Sequence, residues 1–210
     1  MTLNPNSPQR AAYSASRVGG RDVRLVLQIT LNELLEVGAL SPLGGISTLT
    51  GSMTAARSGH TGTSFGSSGT VLITGGSNSA GDLSSAEVYD PAAATFTATG
   101  SMSLARSLHT ATLLPSGMVL IIGGGPMAST AEVYDTSAGT FAAAGNMTSG
   151  KQALTATLLP GGMVFIAGGF NAGSAGSTAK LYNPTTATFT TTGNMTSPVV
   201  ATLLVRRELH

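Results

Sequence analysis

Arg57, Arg106 and Lys151 each stand four residues after a methionine, namely Met53, Met102 and Met147. Three cations on one repeated position could ring an opening and attract an anionic ligand. His60 and His109 follow three residues after the two arginines, and Leu154 takes that place the third time. Two histidines on separate units could share a metal or supply a base. Glu87, Glu132 and Lys180 form another such set, in which the sign of the charge changes. Each set therefore recurs along the chain, whereas catalysis needs unlike groups gathered at one point. The structural reading is favoured at every one of these positions. A cation found in each unit more simply ties one unit to the next, through carbonyls or a carboxylate. A histidine position that accepts leucine is a half-buried packing site, and an acid position that accepts lysine is a solvated or locally paired charge.

The spacing shows what must position these residues. The methionines Met53, Met102, Met147 and Met195 mark units of 49, 45 and 48 residues. Glycine doublets follow each of the first three by 22, 21 and 21 residues, at Gly75-Gly76, Gly123-Gly124 and Gly168-Gly169. Tyr89, Tyr134 and Tyr182 precede Phe96, Phe141 and Phe189 by seven residues, and a glycine follows each Phe by four. Only the gap between doublet and tyrosine varies, at 13, 10 and 13 residues. Constant spacing inside elements with variable spacing between them marks a repeated supersecondary unit.

Each unit reads as four short strands. In the second, the segments are His109 to Leu114, Met118 to Ile122, Thr130 to Asp135 and Thr140 to Ala144. Pro115-Ser116-Gly117 supplies a tight turn between the first two, because proline presets φ and glycine tolerates a positive one. Asp90-Pro91 and Asn183-Pro184 mark turns between strands three and four, where Asp90, Asp135 and Asn183 favour local backbone bonds. Four short strands in 45–50 residues is the pattern of a propeller blade.

The order Arg-x-x-His, Gly-Gly, Glu-Val-Tyr-Asp and Thr-Phe resembles kelch repeats, in the form found in bacterial galactose-oxidase-like β-propellers. The resemblance runs from Met53 to about Leu204. It implies an all-β, kelch-type propeller with three full four-stranded blades, at 53–101, 102–146 and 147–194, and a partial one at 195–210. It does not imply the copper-radical chemistry, which uses a Tyr cross-linked to Cys; the chain has no Cys. Sialidase-like propellers carry Trp-containing boxes and an Arg triad, and the chain has no Trp. The resemblance therefore extends to the fold alone.

Composition agrees with such a build. Charged residues are 9%, against about 25% in an average soluble domain, as radially packed sheets covered on both faces require. A net charge of +1 with no basic run speaks against nucleic acid and anionic membranes. The start has no signal-like apolar core, and the apolar run 23–37 carries Arg24, Glu33 and Glu36, too short and polar to span a bilayer. An extracellular or cell-surface setting is nevertheless expected from composition and resemblance.

Residues 1–21 read as a disordered lead-in, and 22–52 as a degenerate segment. Val23 to Asn32 follow a period of two and lean toward strand, with a helix capped by Asp22 and Gly38 as the rival. A shift of 49 places Leu40-Ser41-Pro42 beneath Tyr89-Asp90-Pro91, and Thr48 beneath Thr97. Val199 to Val205 resembles the start of a blade, so both chain ends are expected to close a degenerate fourth blade. A closed monomer is favoured over an open arc that self-associates.

Strand order puts the Pro-x-Gly and Asp-Pro turns at a lower face. The irregular loops 77–85, 125–129 and 170–178 then lie at an upper one, where binding residues are expected. Arg57, Arg106, Lys151, Asn78, Asp82 and Asn171 are the candidates there. No catalytic residue, metal site or cofactor is assigned. The favoured function is a non-catalytic binding or structural module for a protein or carbohydrate ligand. The alternatives are an enzyme or enzyme remnant with an upper-mouth pocket, and an incomplete fragment of a larger propeller.

Overall fold

A computed structural model describes residues 39–40, 47–48, 50–125, 128–171 and 173–198. The lead-in 1–21, the strand-or-helix stretch 22–37 and the closing run 199–210 lie outside the described residues. Strand β1 (Ala39–Leu40) pairs antiparallel with β2 (Ser47–Thr48). The first full sheet contains β3 (Thr61–Phe65) and β4 (Thr70–Thr74). A small hairpin of β5 (Ser77–Asn78) and β6 (Gly81–Asp82) intervenes before β7 (Ala86–Asp90) and β8 (Thr95–Ala98) complete that sheet. The second sheet is β9 (Thr110–Leu113), β10 (Val119–Ile122), β11 (Thr130–Asp135) and β12 (Thr140–Asn146). The third is β13 (Gln152–Leu158), β14 (Val164–Asn171), β16 (Ala179–Asn183) and β17 (Thr188–Thr191), with β15 (Ser174–Ala175) paired to the end of β14. All three are antiparallel meanders with strands side by side in chain order, and no helix occurs among the described residues.

The register repeats as the spacing requires. Tyr89 pairs with Phe96, Tyr134 with Phe141 and Tyr182 with Phe189, and their rings lie 4.8, 4.9 and 4.8 Å apart. One unit earlier, Ala39 pairs with Thr48 in the register that a shift of 49 maps onto Val88 and Thr97. Gly51 N–H donates to Ala94 O at 2.7 Å, as Gly100 N–H donates to Gly139 O at 3.0 Å. The third-to-fourth-strand turns form as expected: Asp90, Asp135 and Asn183 each accept a backbone N–H two residues on.

Blades stack face to face. Leu72 and Ala86 of the first meet Val119, Ile121 and Tyr134 of the second; Leu120, Ile122 and Ala131 of the second meet Leu154, Val164, Ile166 and Tyr182 of the third. Apolar residues thus alternate to both faces of the middle sheet, and Val119 to Ile122 are fully buried. A strand covered on both sides reads as a continuous apolar run, which is why VLII carries no polar residue.

The glycine doublets join the blades. Gly76 N–H donates to Arg106 O at 2.9 Å and Gly124 N–H to Lys151 O at 2.8 Å, each crossing to the next blade. The first glycine of each pair holds a φ near +60° to +70°, and a Cβ at Gly123 would sit 2.5 Å from both Lys151 O and Leu154 Cδ2. Only glycine lets the two backbones approach so closely. The landmark methionines serve the same end: Met102, Met147 and Met195 donate backbone N–H to Ser84, Ser129 and Ser177.

Candidate functional site

The repeated cations arrive on the connection that leads into each first strand, and they turn back into their own sheet. Arg57 Nη1 donates to Gly75 O (2.7 Å) and Ser85 O (3.0 Å), and Nη2 donates to Ser85 Oγ (3.1 Å) and Glu87 Oε1 (2.7 Å). Arg106 does the same to Gly123 O, Thr130 O, Thr130 Oγ1 and Glu132 Oε1 at 3.0, 3.1, 3.0 and 2.7 Å. The other oxygen of each carboxylate accepts a backbone N–H, from Thr54 or Ser103, at 2.8 Å. These are two copies of one buried staple that ties the approach to strand one onto strands two and three.

This geometry corrects the reading of a collar facing the channel. Arg57, Arg106 and Lys151 are 3%, 0% and 4% exposed, and their donors point at carbonyls and hydroxyls of their own blade and, for the two arginines, at a carboxylate. It also corrects the expected tie to the next blade through the side chain: Arg106 and Lys151 join the preceding blade through their backbone carbonyls, which accept from Gly76 and Gly124. The acids are locally paired and not solvated, with Glu87 1% and Glu132 3% exposed. Burial alone would raise the Glu87 carboxyl, but the bonds from Thr54 and Arg57 outweigh it and hold it below its ordinary range.

His109 is buried, and its Nε2 lies 2.9 Å from Thr61 Oγ1 and 3.0 Å from Thr74 Oγ1 of the preceding blade. It is an inter-blade tether. At the next seam the matching positions are Thr110, Ile122 and Leu154, an apolar version that leaves the Thr110 hydroxyl buried without a partner. Burial, and then the Arg106 charge, lower the His109 pKa to about 3; His60 is lowered in the same direction by burial and by Arg57.

A pH dependence follows. The folded chain keeps His109 neutral, while the unfolded chain protonates it near 6.5. The stability this histidine supports is complete above the unfolded value and is lost as pH falls from 6.5 toward 3. Denaturant midpoints measured from pH 7 to 5 are expected to fall, with a limiting slope of about 1.4 kcal/mol per pH unit for each such histidine. His109→Leu, which copies the third blade, is expected to flatten that slope. An unchanged slope in this variant removes His109 as its source.

The remaining candidates are dispersed. Asn78 and Asp82 lie on the β5–β6 hairpin, with Asn78 capping Ala80 N–H, and Asn171 ends β14. Among the described residues no group of three or more His, Cys, Asp or Glu could hold a metal ion.

The concavity that spacing did not reveal lies at the opposite end. A cavity of about 760 Å³ opens between the second and third blades beside their lower turns. Leu114, Met118, Val133 and Met163 form its apolar wall, and Tyr182 and Asn183 its polar margin. Ala143, Ala144 and Ala187 line it too, and these small side chains leave the space open. Ala143 matches Ala98 and Ala187 matches Ala94 in the first blade, and only Ala144 replaces a larger residue, Thr99, so the spacing carries almost no mark of the cavity.

No protein-family model matches the chain, and no curated protein matches it. Among solved structures it is similar to one titled "Structure of YjhT", with a TM-score of 0.61 and 14% identity, over 73% of this chain and 57% of that one. The chain thus spans little more than half the length of that structure. The likeness is one of fold, and the fold is a β-propeller. No helix among the described residues is long and apolar enough to cross a membrane.

Proposed function

We propose that the chain is a non-catalytic, kelch-type binding module for a neutral ligand, a carbohydrate or an apolar peptide side chain. One observation carries this reading. The lining of the cavity between the second and third blades contains no Asp, Glu, His, Lys or Arg, and its one titratable group is Tyr182, whose hydroxyl burial pushes up. Such a site offers apolar contact and a few hydrogen-bonding groups, and lacks a general acid or base near neutral pH. The repeated polar residues support the same view, since Arg57, Arg106 and His109 are engaged in holding sheets and seams. The kelch resemblance adds a scaffold that commonly presents binding surfaces, an argument by analogy.

Methyl spectra of protein labelled at methionine provide the test, because Met118 and Met163 border the cavity. Titration with neutral oligosaccharides and with apolar peptides is expected to shift these two methyls, and Ala143→Glu is expected to abolish the shift. A ligand that binds without moving either methyl sinks the assignment of the site. Turnover of a bound ligand sinks the non-catalytic reading.

A further inference from the structure

The third blade carries the staple with its charges altered. Lys151 stands where Arg57 and Arg106 stand, and Lys180 stands where Glu87 and Glu132 stand. Both are nine-tenths buried or more, at 4% and 5% exposed. Lys151 Nζ donates to Gly168 O at 2.7 Å and Thr178 Oγ1 at 2.6 Å, the counterparts of the Arg106 acceptors Gly123 O and Thr130 Oγ1. Lys180 Nζ donates to Thr148 Oγ1 at 2.9 Å and Thr191 Oγ1 at 3.3 Å. All four acceptors are neutral. An ammonium has three N–H groups, so each lysine has one beyond these two bonds.

No side chain of the blade supplies the counter-charge. Residues 147–194 contain two lysines and no Asp or Glu. Nor does Gly176, beside Lys151, leave room for one, since a Cβ there would lie 2.8 Å from Nζ. Two enclosed like charges disfavour each other, and burial together with Lys180 lowers the pKa of Lys151. In both sister blades the same place holds a carboxylate, bonded to the cation and to the backbone N–H three residues before it. The residue three before Lys151 is Thr148, which already meets Lys180. Thr148 and Thr191 are exposed, so this place can be reached from solvent.

We propose that the third blade binds one small monovalent anion, a carboxylate group or a halide, held by Lys180 and Lys151 where its sister blades have a glutamate. The ligand is recognised by charge and by its capacity to accept two ammonium N–H bonds, and it completes a staple that the sequence leaves cationic. The proposal does not depend on what the cavity binds.

Thermal unfolding of the full chain tests it, at constant ionic strength set by the potassium salt of a bulky sulfonate. Replacing that salt stepwise with potassium acetate or potassium chloride is expected to raise Tm saturably, by about 5 °C at anion concentrations far above Kd. A rise with acetate alone assigns the site to carboxylate-bearing ligands, and one with chloride alone to halide. Lys180→Glu rebuilds the internal ion pair, and is expected to melt at the anion-saturated temperature of the parent and to ignore both salts. Crystals grown with bromide are expected to show an anomalous peak within bonding distance of Lys180 Nζ. A parent Tm no higher in acetate or chloride than in the sulfonate, or an equal response in Lys180→Glu, overturns the proposal, and where chloride raises Tm, bromide crystals without that peak overturn it too.

Discussion

Arg106→Met is expected to destabilise the protein by about 3–5 kcal/mol, the usual cost of leaving one member of a buried ion pair alone. Arg106 is fully enclosed and makes five hydrogen bonds inside its blade. Its loss strands Glu132, 3% exposed, with only the Ser103 N–H for a partner. Since domains are stable by only about 5–15 kcal/mol, a change of this size brings unfolding into a readily measured urea range. The double variant Arg106→Met with Glu132→Met is expected to recover more than half of the loss, because the orphaned charge goes with its partner. A double variant as unstable as the single one places the cost in the lost carbonyl bonds instead.

Gly123→Ala is expected to cost about 3 kcal/mol or more, from left-handed strain and from displacement of the next blade. Gly117 is the matched control. Its φ of +85° is also left-handed, yet nothing lies within 4 Å of a Cβ built there, whereas at Gly123 Lys151 O and Leu154 Cδ2 lie at 2.5 Å. Gly117→Ala is therefore expected to show the conformational penalty alone, about 1 kcal/mol. Equal midpoints for the two variants in urea would mean that the close approach between blades contributes nothing.

Strand placement was legible because it rests on local chemistry. Thr130 to Asp135 was read from the sequence and is β11, and the Tyr–Phe spacing fixes its pairing with β12 through a turn that Asp135 organises. The doublets announced themselves as well, since a Gly-Gly after an apolar run has few other uses. What spacing could not give was direction. Arg106 occupies a position that fits a channel-facing collar equally well, and only three-dimensional packing turns its guanidinium back to Glu132 across 26 residues. The lower cavity was hidden for another reason. It is made by what Ala143, Ala144 and Ala187 lack, and absent volume leaves no pattern in a sequence.

Both members of each Arg–Glu staple belong to one repeat, whereas the contacts that cross to the next blade are made through the backbone or neutral side chains. The repeat is consequently a unit of inheritance that carries its own charge balance. A gene that gains or loses one such repeat leaves no buried arginine without its acid. The third blade shows that independence: its glutamate position holds lysine while the two blades before it have their pairs.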